Sequence, residues 1–261
     1  MRLTVLGGSA ACPNPGQGCS AYLLEAEGQY LLLDCGPDTL ATLQEHIALD
    51  QLDGVLISHL HADHLLDLVP LRYGLKYMPG LARNRIPLWM PPGGRAFLHQ
   101  LASVLAMGDE RSEVFFEDVF MVAEYDPSRL LQLGPFQIRF RPTRHYVPCW
   151  ACRIEVDGRT IVYLADTGPD DDLADLARSA TVLICEATLS GDPDPVEGQG
   201  GVRGHLSARE AGALAAAAGA ERLVLTHYWA SLGVDALRRE AEDAFGQTVQ
   251  LAQPGWTIVL D

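Results

Sequence analysis

The sequence predicts an α/β protein built from two similar halves, and three observations carry that expectation. Strand-like and helix-like apolar periodicities alternate from end to end of the 261 residues. Polar residues able to ligate a metal stand where apolar strands give way to loops, the position where sites form in open α/β sheets. A weak internal repeat relates the halves: Leu33-Asp34-Cys35-Gly36-Pro37-Asp38 is echoed by Ala165-Asp166-Thr167-Gly168-Pro169-Asp170. Likewise Val55-Leu56-Ile57-Ser58-His59 is echoed by Leu223-Val224-Leu225-Thr226-His227. Two similar halves ending strands in polar residues point to one shared site between them.

Taken in order, the first half reads as strands at Leu3–Leu6, Ala21–Ala26, Tyr30–Asp34, Gly54–Ser58 and Pro87–Met90. Helices fall near Asp38–His46, His64–Met78 and Gly94–Met107. Then Phe136–Arg141, Arg153–Val156 and Thr160–Ala165 read as paired strands, with Asp157-Gly158 as a tight hairpin turn. The second half follows with strand Thr181–Cys185, helix Ala208–Ala218, strand Arg222–Thr226, helix Val234–Phe245 and strand Thr257–Leu260. No Pro/Ser linker or charge block divides the chain, so residues 1–261 read as one domain.

Composition narrows the function classes. Apolar residues make up 48% and charged ones 20%, enough to build a large core. No apolar run approaches the roughly 20 residues that span a bilayer, and the opening Met1-Arg2-Leu3-Thr4-Val5-Leu6 reads as a strand rather than an export signal. Six cysteines without such a signal suggest free thiols in a reducing, cytoplasmic setting. Cys149 and Cys152 form a CxxC with no second pair, within a strand-like run, and are given no metal or redox role. The formal charge of −15, from 34 acidic against 19 basic residues, disfavours nucleic-acid binding through a broad basic surface. A local basic strip remains: Arg72, Lys76, Arg83, Arg85 and Arg95, with no acidic residue from Leu68 to Gly108.

The strongest signal is His59-Leu60-His61-Ala62-Asp63-His64, after an apolar strand and before a helix. Four ligand-type side chains in six residues pack poorly in a core, because each buried polar group needs a partner. Imidazole with carboxylate suits zinc, iron or manganese, and the lack of a glutamate at the second histidine position favours zinc. Six residues cannot close two metal sites alone. His145, Asp166 and His227, each where a strand meets a loop, are the candidates to complete them. His46 and His99 lie outside any motif and are left as surface or packing residues.

This ordered set, HxHxDH followed by a single His, an Asp and a His, resembles the metallo-β-lactamase superfamily across essentially the whole chain. The resemblance implies a four-layer αββα sandwich, two mixed sheets with helices outside, holding two divalent metal ions. His59, His61 and His145 would take the first ion, Asp63, His64 and His227 the second, and Asp166 would bridge both. Asp34 matches the family's first-strand aspartate, which orients ligands.

Asp166 at the bridging position separates the chain from the true β-lactamases, which have cysteine there. No Gly-Gly follows the motif as it often does in glyoxalase II and lactonases. Glu186-Ala187-Thr188-Leu189 and Gly204-His205-Leu206-Ser207 are similar to the ribonuclease Z-like branch. That likeness implies phosphodiester hydrolysis by a metal-bridging hydroxide, with Asp63 orienting or deprotonating the nucleophile. His205 would serve the leaving oxygen and Glu186 would orient it, while Arg72 or Arg85 would contact a phosphate. The sequence itself places His205 before a helix start, since Ser207 and Glu210 form a capping box. The Gly/Pro/Asp-rich stretch from Ser190 to Gly204 reads as an active-site lid.

One departure bears on substrate. The short ribonuclease Z type carries a long basic arm between the single His and the bridging Asp, but His145 and Asp166 lie only 21 positions apart. Without that arm, and with an acidic body, a small molecule or a short single-stranded nucleic acid, such as a cyclic nucleotide or short RNA, is expected in place of folded transfer RNA. The alternatives are a lactone, thioester or sulfate-ester hydrolase using the same metals, and a non-catalytic metal-binding role. The resemblance also implies a homodimer, although Tyr228-Trp229-Ala230 could instead form pocket wall.

Overall fold

Alternation along the strands sorts apolar side chains into three sheets of core. In β1 (Arg2–Gly7), Leu3 and Val5 join one buried cluster while Leu6 joins another on the opposite face. The computed structural model describes residues 1–81, 84–108, 110–191, 193 and 203–260. Further strands of the first half are β2 (Ala21–Ala26), β3 (Gln29–Leu33), β4 (Gly54–Leu56), β5 (Ile86–Met90) and β6 (Phe120–Glu124). Those of the second half are β7 (Leu131–Leu133), β8 (Phe136–Pro142), β9 (Trp150–Val156), β10 (Arg159–Tyr163), β11 (Val182–Glu186), β12 (Leu223–Thr226) and β13 (Val249–Leu251). The last strand, β14 (Thr257–Val259), returns to pair with β1.

Two seven-stranded sheets result, ordered β14-β1-β2-β3-β4-β5-β6 and β7-β8-β9-β10-β11-β12-β13 when both are read from the antiparallel side. Each has three antiparallel pairings followed by three parallel ones. One cluster, with Val5, Tyr22, Ile154 and Tyr163, fills the space between the sheets. Helices α1 (Leu40–His46), α2 (Ala62–Leu65), α3 (Leu68–Tyr77) and α4 (Gly94–Leu105) belong to the first half, and the larger three of them cover its outer core. On the second sheet α5 (Asp172–Leu176), α6 (Ala208–Ala218) and α7 (Val234–Phe245) cover another. The architecture is therefore the expected αββα sandwich.

The equivalence of the sheets makes β3 the counterpart of β10, so the Asp34 and Asp166 echo is topological. The second echo is not: β4 corresponds to β11, which ends in Glu186, whereas His227 follows β12. Sequence likeness there reflects two buried parallel strands, each an apolar run ending in a polar residue.

Several expected elements shift. The helix expected over His64–Met78 is two, α2 and α3, parted at Leu66–Asp67. Pro70 has no N–H to continue the ladder. The Asp67 carboxylate instead accepts from the Thr39 and Leu40 amides at 2.9 and 3.2 Å, tying the break to α1. The turn at Asp157-Gly158 is as expected, with φ of 48° and 76°. Strands β6, β7 and β13 and helix α5 carry no strong pattern in the sequence, being short or half-exposed. Most of the lid expectation, residues 190–204, lies outside the described residues. Among those described, no helix is long and apolar enough to cross a membrane.

The described cations of the basic strip, Arg72, Lys76, Arg85 and Arg95, are engaged within the fold. Arg72 is fully buried, with Nε donating to Phe115 O at 2.9 Å, Nη1 to Glu110 at 2.5 Å, and its guanidinium 3.9 Å from the Phe115 ring centre. Lys76 pairs with Asp118 and Arg95 with Glu117. Arg85 gives two donors to Phe120 O. Arg83 lies outside the described residues. Glu110, Asp118 and Glu117 thus answer Arg72, Lys76 and Arg95.

α6 presents Ala208, Ala211, Gly212, Ala215 and Ala218 to the core, a face of small residues that lets α7 approach closely. A Cβ on Gly212 would stand 2.3 Å from Ala241 O. Gly212→Ala is therefore expected to destabilise the protein by about 1–3 kcal/mol through overpacking, although alanine is the better helix former by about 1 kcal/mol. Urea unfolding checks this: a stability unchanged or raised would show that the helices part without cost.

Candidate metal centre

The site forms where parallel strands of both sheets end. Beyond β4 the chain carries Ser58 and His59, then His61 at the entry to α2, which itself bears Asp63 and His64. The β8–β9 loop brings His145; the ends of β10, β11 and β12 bring Asp166, Glu186 and His227. Asp34, Ala165 and His227 turn in the left-handed region, with φ of 57°, 52° and 50°. Such backbone costs about 1–3 kcal/mol per non-glycine residue and persists where the surroundings over-determine it.

Ligand-type atoms of His59, His61, His145 and Asp166 lie within 4.8 Å of one another, and so do those of Asp63, His64, Asp166 and His227. Asp166 is common to both groups. Its Oδ2 is 3.6 Å from both His59 Nε2 and His145 Nε2 and 3.4 Å from His227 Nε2, while Oδ1 is 3.2 Å from His64 Nε2. His61 Nδ1 faces His145 Nε2 at 3.0 Å, and His227 Nε2 faces Asp63 Oδ2 at 3.0 Å. All seven residues singled out by the motif and its resemblance are thus brought together.

The rings of His59, His64, His145 and His227 are held from behind, and the hydrogen-bond network assigns their tautomers. Asp34 is fully buried and accepts from Ser58 N, Ser58 Oγ, Tyr163 Oη and His64 Nδ1, all at 2.7–2.8 Å. Ser58 Oγ in turn accepts from His59 Nδ1 at 3.0 Å. His145 Nδ1 donates to Gly204 O at 2.9 Å, and His227 Nδ1 to Thr188 Oγ1 at 2.8 Å. Four Nε2 lone pairs are left facing inward, with Nδ1 of His61.

The donor set fits a cation. His59 Nε2, His64 Nε2 and Asp166 Oδ1 are buried and have no hydrogen-bond partner among the described residues, and such orphans cost about 1–3 kcal/mol each. Burial holds the His59, His61 and His145 imidazoles below their ordinary range, keeping the neutral form that a metal needs. At His64 burial acts the same way, but Asp166, Asp34 and Asp63 outweigh it and push the ring up. Burial would raise Asp63 and Asp166; the neighbouring histidines overcome it and hold both carboxyls well below the carboxylate range. Carboxylates clustered with neutral imidazoles are the environment a divalent ion favours.

Ligand-type atoms of Glu186, His205 and His227 also lie within 4.8 Å of one another, yet Glu186 is already satisfied by donors. Its Oε1 accepts from Thr167 N at 2.7 Å and from His205 Nδ1 at 2.9 Å. Its Oε2 accepts from Thr188 Oγ1 at 2.6 Å and Leu206 N at 3.2 Å. Burial lowers His205, but the fully buried Glu186 carboxylate beside it prevails and pushes the imidazole up to about 9. His205 also stacks on His227, with ring centres 5.5 Å apart.

Two expectations are corrected. Arg72 is sealed in the core as described, and Arg85 precedes β5, at the opposite end of the sheet from the site; neither can meet a phosphate held there. Tyr228 is core: its hydroxyl donates to Ala252 O at 3.0 Å. Cys149 and Cys152 are buried free thiols and join no ligand group among the described residues. The supporting residues Tyr163, Ser58, Thr188 and the Gly204 carbonyl escape the sequence, because nothing in a strand or loop marks which hydroxyl or carbonyl will face a histidine.

This fold and this donor set define a metallohydrolase class. A family profile described as a Beta-lactamase superfamily domain matches residues 29–228, and the chain belongs to the metallo-β-lactamase superfamily. The probable metallo-hydrolase YhfI of Bacillus subtilis is 32% identical over 98% of both chains. Its crystal structure matches with a TM-score of 0.86 at 29% identity, again over 98% of each. Protein Rv1339 of Mycobacterium tuberculosis is 35% identical over 87% of this chain and 80% of its own. A ribonuclease Z of Halorubrum lacusprofundi is 30% identical over 98% and 96%. That last alignment runs over 303 positions, more than this chain has residues, so the ribonuclease Z holds inserted segments absent here.

Asp34 is the test of the supporting network. Asp34→Asn keeps a residue that tolerates positive φ but cannot accept all four donors. Metal affinity is expected to fall about 10–100-fold, measured by competition with a chromogenic chelator. Unchanged affinity would mean that His64 needs no such orientation.

Proposed function

We propose that the chain is a dinuclear metal-dependent phosphodiesterase acting on a small or single-stranded nucleotide substrate. The observation that carries this is the Glu186–His205 pair beside the ligand cluster: an imidazole pushed up to about 9, with Nδ1 2.9 Å from a buried carboxylate and its ring packed against those of His145 and His227. Phosphodiesters with alkoxide leaving groups need a proton at that oxygen. Similarity to a ribonuclease Z over nearly the whole chain supports the same reaction class.

His59, His61, His145 and Asp166 would hold one ion and Asp63, His64, Asp166 and His227 the other. Two divalent ions, with zinc our choice, supply Lewis-acid charge that acidifies a water and neutralises phosphoryl oxygens. The chain does the rest. Asp63 orients the attacking water and takes its proton while ligating. His205 Nε2 gives a proton to the departing oxygen, and Glu186 positions His205 and keeps it charged. Thr188 links Glu186 to His227, so ligand and acid are set by one carboxylate. The basic strip is engaged elsewhere, so substrate binding relies on the metals and on the walls of the site. From family resemblance we add a cytoplasmic homodimer.

Bis(p-nitrophenyl) phosphate is expected to turn over with zinc- or manganese-loaded protein and not after chelation; metal-loaded protein that leaves it intact would sink the proposal. His205→Ala should cost about 10²–10⁴-fold on an alkyl diester and far less on a p-nitrophenyl one, whose leaving group needs no proton. Equal losses on both would remove His205 from that role. Because Glu186 raises His205, the acid form persists to about pH 9 and activity on alkyl diesters should decline above it. In Glu186→Gln that alkaline limb should move to lower pH, read from kcat/KM against pH.

A further inference from the structure

Beside the ligand cluster stands a ring that the mechanism above leaves unused. Tyr146 follows His145 in the β8–β9 loop, and that loop is fastened at several points. Thr143 N donates to Cys149 O at 2.9 Å, and Gly168 N donates to Arg144 O at 2.7 Å. The ring packs against Gly204 so closely that an added Cβ would come within 2.7 Å of Tyr146 Cζ. Its centre lies 5.0 Å from His145 and 5.6 Å from His205. Even so, Tyr146 is 42% exposed. A large aromatic side chain fixed in place yet left partly bare presents apolar surface ready to be covered.

Its location says by what. A phosphate seated among the ligand residues directs its leaving oxygen toward His205, so the group carrying that oxygen extends past His205, where Tyr146 stands. We propose that Tyr146 is a stacking platform for the base of the leaving nucleoside, and so a specificity-determining residue. The inference rests on the phosphodiesterase reading and narrows the substrate to nucleotides whose base is free to unstack. Stacking on an aromatic ring is tolerant of base identity and needs no positive surface. That suits a chain of charge −15 in which Arg72, Lys76 and Arg95 of the basic strip are paired with acids. Gly204 serves the platform twice: its missing side chain admits the ring, and its carbonyl holds His145.

The test uses metal-loaded protein and three dinucleotides: thymidylyl-thymidine and its two analogues with an abasic sugar on one side or the other. Chromatography of the products shows which nucleoside leaves. Removing the leaving-side base is expected to raise KM about tenfold, with kcat less affected, and removing the retained-side base to change KM little. Tyr146→Ala should raise KM for the intact dinucleotide by a similar factor and add little on the leaving-side abasic analogue; Tyr146→Phe should retain the wild-type preference. A uniform loss across all three substrates in Tyr146→Ala would mark a merely structural residue and overturn the proposal. Turnover of bis(p-nitrophenyl) phosphate but of no dinucleotide would overturn it while sparing the phosphodiesterase reading. Inactivity on every diester would overturn both.

Discussion

Five imidazoles and two carboxylates face one another across a few ångströms, and the structure around them follows from what that requires. Rings that are to ligate must point lone pairs inward, and four of the five have an acceptor behind Nδ1. Carboxylates must stay ionised under burial, so each needs imidazoles or hydroxyls near it. The strained turns at Asp34, Ala165 and His227 are tolerated because the strands, fixed by core on both faces, leave these residues no other path. A divalent ion bound there would resolve the remaining conflict, the inward atoms that no hydrogen bond among the described residues reaches.

Two buried carboxylates outside the ligand set organise opposite sides of the centre. Asp34, at the end of β3, gathers Ser58, Tyr163 and His64 and thereby orients the HxHxDH side. Glu186, at the end of β11, gathers Thr167, Thr188, His205 and Leu206 on the other. Asp34 satisfies an orientation need, whereas Glu186 also sets charge, since it keeps His205 protonated against the effect of burial. The same device, a carboxylate behind Nδ1 of an imidazole, thus recurs on both sides of the centre, turning the His64 ring toward the candidate ligand cluster and holding the His205 ring beside it.

Charge elsewhere follows a simpler logic. The run of basic residues from 72 to 95 would form a positive strip on an isolated helix and loop, but the segment from 110 to 124 supplies acids that pair with Arg72, Lys76 and Arg95. What stays open beside the candidate metal centre is the loop that carries His145 and the exposed Tyr146 ring next to it.

The sequence by itself determined the alternation of strands and helices, because apolar periods of two and of 3.6 residues fix which face of each element is buried; the four-layer arrangement is what the family resemblance implied. It also singled out the candidate ligands, because HxHxDH is dense in groups that a core cannot absorb, and strand-end His145, Asp166 and His227 are the residues that could complete it. Tertiary structure alone decided the rest. The break between α2 and α3 depends on a carboxylate at Asp67 capping a helix nearly 30 residues earlier in the chain. Arg72 reads as a surface cation until Phe115 and Glu110 enclose it. Tyr163, Thr188 and Gly204 gain their roles from contacts across 99, 39 and 59 positions of chain. Local pattern encodes what each residue is able to do; which partner it meets is set by packing between distant strands, which no local period records.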